Sequence, residues 1–394
     1  VFSKTLTFIL IALGTVIGLA GTDLVLPAIP SLPAALGGDL QTAQWVLAAY
    51  AGGTGIGLLI YGELANRFGI GNLLITSLLG YALLSFLATF ASGLVELSAM
   101  RFFQGLIAAG PAVLAPGMIK SMYEHNAAVA ALGRIGSIES LAPALAPILG
   151  AWLLSVFDWR SSFYLTSIVA LCLALIWIFA SKTRVQFGAS NRSPDGYLPL
   201  LVNRDFIRHA LSQAFTLGAL LIIVFAAPTV VTHALGGELS DFIVMQVLGI
   251  SFFVVTANTS HFIIDRFGSV NTILAGTSLT AFGCLGIFCL GFITNPPIAA
   301  LWLLFIFVNS GLGIRAPAGF FNALHAAGEN ESRGSALIIL LIMLTTALGT
   351  IAVAPFVEDG LMEVGALASV IAILAVWLSR DSGSRGQSKL VVSE

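Results

Sequence analysis

A single carboxylate, Asp23, stands inside an apolar stretch from Leu6 to Ile29 that is long enough to cross a bilayer and carries no other charge. An acid there is costly to desolvate, faces a protein interior or a watery cavity, and usually marks an ion or substrate path. Arg101, Glu139 and Arg315 are embedded in apolar runs farther along. Charged groups kept among so many hydrophobic segments point to transport rather than to bond-making chemistry.

Composition agrees with that reading. Hydrophobic residues make up 58% and charged residues 9%, against roughly 25% charged in soluble domains, and the mean hydropathy is +0.99. A net charge of −2 leaves no basic footprint for nucleic acid. Cys172, Cys284 and Cys289 are odd in number and lack paired metal-binding spacing, so three free, buried thiols are expected. Gly52-Gly53-Thr54-Gly55-Ile56-Gly57 looks like a phosphate loop but lacks the terminal Gly-Lys-Ser/Thr. Small residues inside a span serve close helix packing instead. With no nucleotide motif and no metal cluster, no cofactor is implied, and an ion gradient is the expected energy source.

A spanning helix needs roughly 20 apolar residues, and the sequence supplies about twelve such stretches. They cover 6–29, 43–61, 72–91, 96–122, 128–154 and 161–181, then 207–233, 240–263, 270–292, 298–324, 334–356 and 361–379. The first is too long for a signal h-region and runs into a proline-rich segment without a cleavage site, so it reads as a span. The expected fold is an all-α membrane protein of two six-helix halves: 1–181, a cytoplasmic linker 182–206, 207–379, and a cytoplasmic tail 380–394. Placing both termini inside gathers nearly all loop Lys and Arg on the inner face and leaves Arg160 alone outside, as the positive-inside rule requires. Trp45, Trp152, Trp159 and Trp302 then fall near the outer interface and Trp177 and Trp377 near the inner one, as aromatic belts.

The halves echo each other. Asn66-Arg67-Phe68-Gly69 opens the third span and Asp265-Arg266-Phe267-Gly268 the ninth. Internal repeats of this kind are a signature of transporters built from duplicated bundles.

Three further patterns carry a family likeness. Gly62-Glu63-Leu64-Ala65-Asn66-Arg67-Phe68-Gly69 joins spans two and three, and Arg101-Phe102-Phe103-Gln104-Gly105 lies in span four. Ala142-Pro143-Ala144-Leu145-Ala146-Pro147-Ile148-Leu149-Gly150 lies in span five. Together with Thr22-Asp23 and the Pro27–Pro30 segment, they resemble the major facilitator superfamily. More narrowly they are similar to its twelve-span drug:proton antiporters, in the bicyclomycin and chloramphenicol resistance branch. The resemblance implies a bacterial inner-membrane exporter of small amphipathic compounds, working as a monomer by rocker-switch alternating access and driven by inward proton flow. It also implies a charged latch at the inner loop, formed by Gly62, Asn66, Arg67 and Gly69 and echoed by Asp265 and Arg266. Here the chain departs from the family: Asn66 replaces the usual Asp, and Ile70 and Gly71 replace a basic pair.

Individual residues keep alternatives. Asp23 lies about 25 Å along its helix at 1.5 Å per residue, a depth Arg101 could share. Burial and a neighbouring guanidinium act oppositely on a carboxylate's proton affinity, so this pair could load and release a proton, or form a permanent packing ion pair. Glu139, one turn before the Pro143, Pro147 and Gly150 hinge, could be a second proton site or a ligand for a cation, or could pair with Arg134 or hydrogen-bond to a neighbouring helix. Arg315 could face a cavity and favour anionic or zwitterionic cargo, or snorkel and cap carbonyls near Pro317. Tyr50, Gln213 and Asn309 are candidate substrate contacts that could equally be helix–helix hydrogen-bonding residues. His209, His233 and His261 are given no role. Since fold does not fix function, proton-coupled uptake or facilitated diffusion of one metabolite is the alternative. A polytopic enzyme would need convergent nucleophiles or metal ligands, which the sequence does not show. A sensor would normally need an added signalling segment.

Overall fold

The structure, a computed structural model, describes residues 3–181 and 196–380. Among them every regular element is helical, as it must be where no water can satisfy open backbone groups. The chain divides into two compact units, Val1–Arg192 and Ser193–Glu394. The first 14 residues of the expected linker and nearly all of the expected tail lie outside the described residues. The end of that linker is structured: Leu198–Val202 is a helical turn whose buried Leu200 packs with Phe206 and Ala210.

The first unit contains α1 (Lys4–Asp23), α2 (Leu40–Phe68), α3 (Ile70–Ala88), α4 (Leu94–Met122), α5 (His125–Glu139), α6 (Ala142–Val156) and α7 (Ser161–Ser181). The second contains α8 (Arg204–Thr229), α9 (Leu239–Leu290), α10 (Ile298–Ala327), α11 (Glu331–Val353) and α12 (Met362–Arg380). Polar residues start several of them. Asp39 accepts from the Thr42 amide at 2.7 Å to cap α2, and Asn203 accepts from the Asp205 and Phe206 amides, both at 3.1 Å, to cap α8. Such caps satisfy amides that lack an intrahelical partner.

Among the described residues, eleven helical segments are long and apolar enough to cross a membrane. One of them, α9, has 52 residues, or about 78 Å at 1.5 Å per residue, enough for two crossings of a core about 30 Å thick. The sequence places two spans here with a break between them, and the break consists of one residue. Gly268 adopts φ 78°, ψ 159°. Its repeat counterpart Gly69, between α2 and α3, adopts φ 77°, ψ 144°. The two Arg-Phe-Gly triplets thus share a backbone conformation as well as a sequence.

Three expectations need correction. The first span does not remain α-helical to Ile29: α1 stops at Asp23, and Leu26–Ser31 form a 3-10 turn because Pro27 and Pro30 have no amide hydrogen to donate. Trp159 and Trp177 are buried in packing rather than held at an interface, unlike the exposed Trp45, Trp152 and Trp377. All three cysteines are free, but only Cys284 is buried; Cys172 and Cys289 lie on outward helix faces. The glycine run in α2 does serve close packing, since a Cβ at Gly53 would collide with the Phe102 carbonyl of α4.

Positive φ with ψ near 150° is open to glycine and almost closed to other residues, at a cost of about 1–3 kcal/mol. Gly69→Ala and Gly268→Ala are each expected to lower thermal stability in detergent by that order, although no atom crowds either position. A melting temperature unchanged in both variants would show that the joints straighten freely.

Candidate functional site

The end of α1 is fixed from two sides. The Leu24 carbonyl accepts from the Ser162 hydroxyl of α7 at 3.0 Å, and Gly150 of α6 lies so close to that carbonyl that a Cβ there would collide with it. Leu24 also packs with Ala146 and Leu153. Asp23 is therefore the last residue of a helix that breaks beneath it, half-buried. Among the described residues its carboxylate enters no ion pair or hydrogen bond.

Arg101, on α4, is wholly buried and does not pair with Asp23. Its guanidinium lies 3.9 Å from the centre of the Tyr50 ring and 5.8 Å from that of Phe163. A desolvated cation over an aromatic face contributes about 2 kcal/mol. One nitrogen donates to Gln104 Oε1 at 2.7 Å, and the Gln104 amide donates to Ser85 Oγ at 2.6 Å. Ser85 in turn donates to the Tyr81 carbonyl at 2.7 Å. Arg101 Nε and its other terminal nitrogen make no hydrogen bond.

Two phenols stand between this guanidinium and α1. Tyr50 donates to the Gly18 carbonyl at 2.5 Å and Tyr81 to the Ile17 carbonyl at 3.4 Å. They fit because Gly21 has no side chain: a Cβ there would collide with the Tyr81 hydroxyl and stand 3.1 Å from that of Tyr50. The permanent Asp23–Arg101 ion pair, one of the two readings, does not form; Arg101 instead has an aromatic cage, with phenols against α1.

Glu139 is the last residue of α5. The helix is interrupted at Ser140 and Leu141 before α6 resumes, with Pro143 in its first turn and Pro147 and Gly150 inside it. The expected single span 128–154 is thus two helices. Glu139 is half-buried, faces the Thr15 hydroxyl of α1 and makes no ion pair with Arg134.

In the second unit Arg315 is buried on α10. It does not snorkel; it clamps α10 to α8. One nitrogen donates to the Ser212 carbonyl at 2.8 Å, to Ser212 Oγ at 3.3 Å and to the Thr216 hydroxyl. Ser212 Oγ also lies 2.9 Å from Ser379 Oγ on α12. Gln213 is buried beside it, both side chains lying over Gly319. Asn309 is buried on the same helix and donates to its own helix at the Phe305 carbonyl, 2.9 Å away.

The sequence model of the Major Facilitator Superfamily matches residues 11–354. The chain belongs to that superfamily. The chloramphenicol resistance protein of Pseudomonas aeruginosa is 25% identical over 98% of this chain and 94% of its own length. A bicyclomycin resistance protein homolog from Haemophilus influenzae is 25% identical over 56% of this chain. The multidrug resistance protein MdtL of Salmonella heidelberg is 25% identical over 63%. The chain spans 57% and 64% of the lengths of these last two relatives. Among solved structures, the POT family transporter PepTSo superposes with a TM-score of 0.76 at 13% identity, covering 98% of this chain and 99% of its own. A D-xylose-proton symporter gives 0.69 at 15%, covering 94% and 96%. At such identities these structures show the fold alone; membership of the superfamily and the apolar helices make the chain a multi-pass membrane transporter.

Within that superfamily fold, the junction of α2 and α3 carries little charge pairing. Arg67 approaches Glu63 one helical turn away at 3.8 Å, both well exposed, a contact worth no more than about 0.5 kcal/mol. Gly62 is half-buried beside Glu63, and the side chain of Asn66 lies outside the described ones. Asp265 and Arg266 are exposed and form no ion pair among the described residues; Arg266 lies over the Phe267 ring at 5.6 Å.

Sequence reasoning passed over Tyr81, Ser85, Phe163, Gly21, Thr15, Ser212 and Thr216 as site residues. Gln104 was visible as part of the Arg101 motif, and a tyrosine in the middle of an apolar span is itself a signal, because a buried phenol needs a partner. The serines and threonines gave none.

Two outcomes test this geometry. Gly21→Ala is expected to break both phenol contacts and destabilise the first unit by about 1–3 kcal/mol, more than Tyr81→Phe, which loses one hydrogen bond worth about 1 kcal/mol; melting curves of the two variants decide the order. Arg315→Met is expected to leave the melting temperature unchanged or raise it, because the desolvation of an unpaired buried charge, several kcal/mol, offsets its neutral hydrogen bonds. A clear fall would show that the clamp outweighs the desolvation.

Proposed function

We propose that this chain exports small amphipathic compounds across the bacterial inner membrane in exchange for protons, by rocker-switch alternating access, with both termini cytoplasmic and the single chain as the working unit. One observation carries the reading: Asp23 is an unpaired, half-buried carboxylate at the broken end of a spanning helix, with an uncompensated guanidinium behind a layer of two phenols. Irregular helix ends near an ion-binding group are a recurrent device of secondary transporters. The resistance functions named for the three relatives support drug-like cargo, and the inner-face Lys and Arg support the orientation.

In this scheme Asp23 takes a proton when open to the outside, becomes neutral, and lets its helix return. Opening inward, it releases the proton to the cytoplasm, and the recharged carboxylate accompanies cargo loading. Arg101 is held by aromatic rings and amides, so it biases the local field without neutralising Asp23 as a fixed partner would.

Everted vesicles energised to an acidic interior provide the test. Addition of a cargo compound is expected to make the lumen more alkaline with the native chain, and Asp23→Asn is expected to abolish the response while folding as the native chain does. Cargo-driven acidification instead would indicate coupled movement in the same direction, and a full response from Asp23→Asn would remove Asp23 from the mechanism.

A further inference from the structure

Arg315 is tied down by only one of its nitrogens. Every hydrogen bond it makes among the described residues leaves from Nη1, to the Ser212 carbonyl and hydroxyl and to the Thr216 hydroxyl of α8. Nε is buried and donates to nothing. With Nη2 it forms the edge of the guanidinium that the clamp leaves unused. That edge lies over Gly319, one turn along α10. A Cβ built on Gly319 would stand 2.8 Å from Nη2, 3.3 Å from Nε and 2.9 Å from Gln213 Oε1. Gln213 Oε1 is itself buried without a partner. A donor edge and an acceptor thus converge on the place that a side chain at 319 would take. Arg315 and Gln213 are 1% and 4% exposed. Arg101 also keeps two nitrogens without hydrogen bonds, but the Tyr50 and Phe163 rings close on it.

We infer that this edge binds a carboxylate carried by the cargo, Nε and Nη2 each donating to one oxygen, so that the second unit selects small amphipathic acids and zwitterions. The edge has the chemistry for it: a guanidinium presents two parallel N–H groups that match the two oxygens of a carboxylate. It also lacks that partner. Among the described residues Arg315 enters no ion pair, and a guanidinium buried without a counter-charge is costly, so a ligand that brings the charge removes the cost. Gln213 is the residue that must move. Its oxygen faces the edge without closing a bond; turned over, its amide nitrogen donates to the bound carboxylate instead. On α8, Gln213 stands between His209 and Leu217, one turn away on either side and both half-buried. That stripe of the helix reaches the surface of its unit and offers a path to the edge. The inference rests on the export reading for calling the ligand cargo; the binding itself does not.

Calorimetric binding to the purified full-length chain in neutral detergent tests it without any transport. Cinnamate serves as the acid and cinnamamide as a neutral compound of the same shape. The native chain is expected to bind the acid more tightly. The acid-to-neutral affinity ratio is expected to fall about tenfold or more in Arg315→Met, the loss of one charge-assisted contact. Gly319→Ala puts a methyl group on the edge and leaves the Nη1 clamp in place. It is expected to lower the ratio in the same direction, and it decides the matter alone if Arg315→Met does not fold. A native ratio near one overturns the inference, and so does a ratio that Gly319→Ala leaves unmoved. Expected binding with a failed proton-flux test counts against the export reading alone; proton flux with a ratio near one counts against this inference alone.

Discussion

A guanidinium buried without a carboxylate is the constraint around which the first unit is arranged. Arg101 cannot shed its charge and cannot reach water, so its surroundings must hold it by weaker means: a ring face, and an amide that passes through one serine hydroxyl to a backbone carbonyl of α3. Those means require a tyrosine on α2, a serine on α3 and a glycine on α1, each at one position. They also require α2 and α4 to approach almost backbone to backbone, which explains the run of small residues in α2. The result is an acid and a base in one bundle that do not neutralise each other.

The second unit solves the same problem differently. Arg315 lies on α10, the counterpart of the span that carries Arg101, but its partners are a carbonyl and two hydroxyls on α8. Among the described residues it has no aromatic cage, and no acid stands in the last turn of the facing α8. The repeat preserved the helices and the Arg-Phe-Gly joint while the polar interiors diverged. This division suits a protein in which one bundle holds the titrating group and the other holds shape.

Much of this was legible in the sequence because the bilayer enforces it. Apolar runs of spanning length become helices, an acid among them stands out, and a recurring triplet marks equivalent joints. What was not legible depends on direction. Leu6–Ile29 reads as one helix although the prolines end it at Asp23, and nothing local shows that Ser162 and Gly150, more than a hundred residues away, close on the Leu24 carbonyl that the break exposes. Asp23 and Arg101 share a plausible depth in the sequence, yet two phenols occupy the space between Arg101 and α1. Trp159 and Trp177 sit at interface-like positions in the chain but turn inward, since span ends say nothing of which way a ring points.

The single-glycine joints at Gly69 and Gly268 have a consequence for how tolerance to substitution is read in this protein. Each connects two spanning segments with no loop between them, so the direction of one helix is set by the dihedral angles of one residue. A survey of random substitutions would find both positions intolerant and, lying beside charged residues, they would be taken for parts of a gate. Their intolerance would report on backbone handedness. Sensitivity at Arg67 or Arg266, whose side chains are exposed and bear little structural load, would be the more informative sign of a working latch.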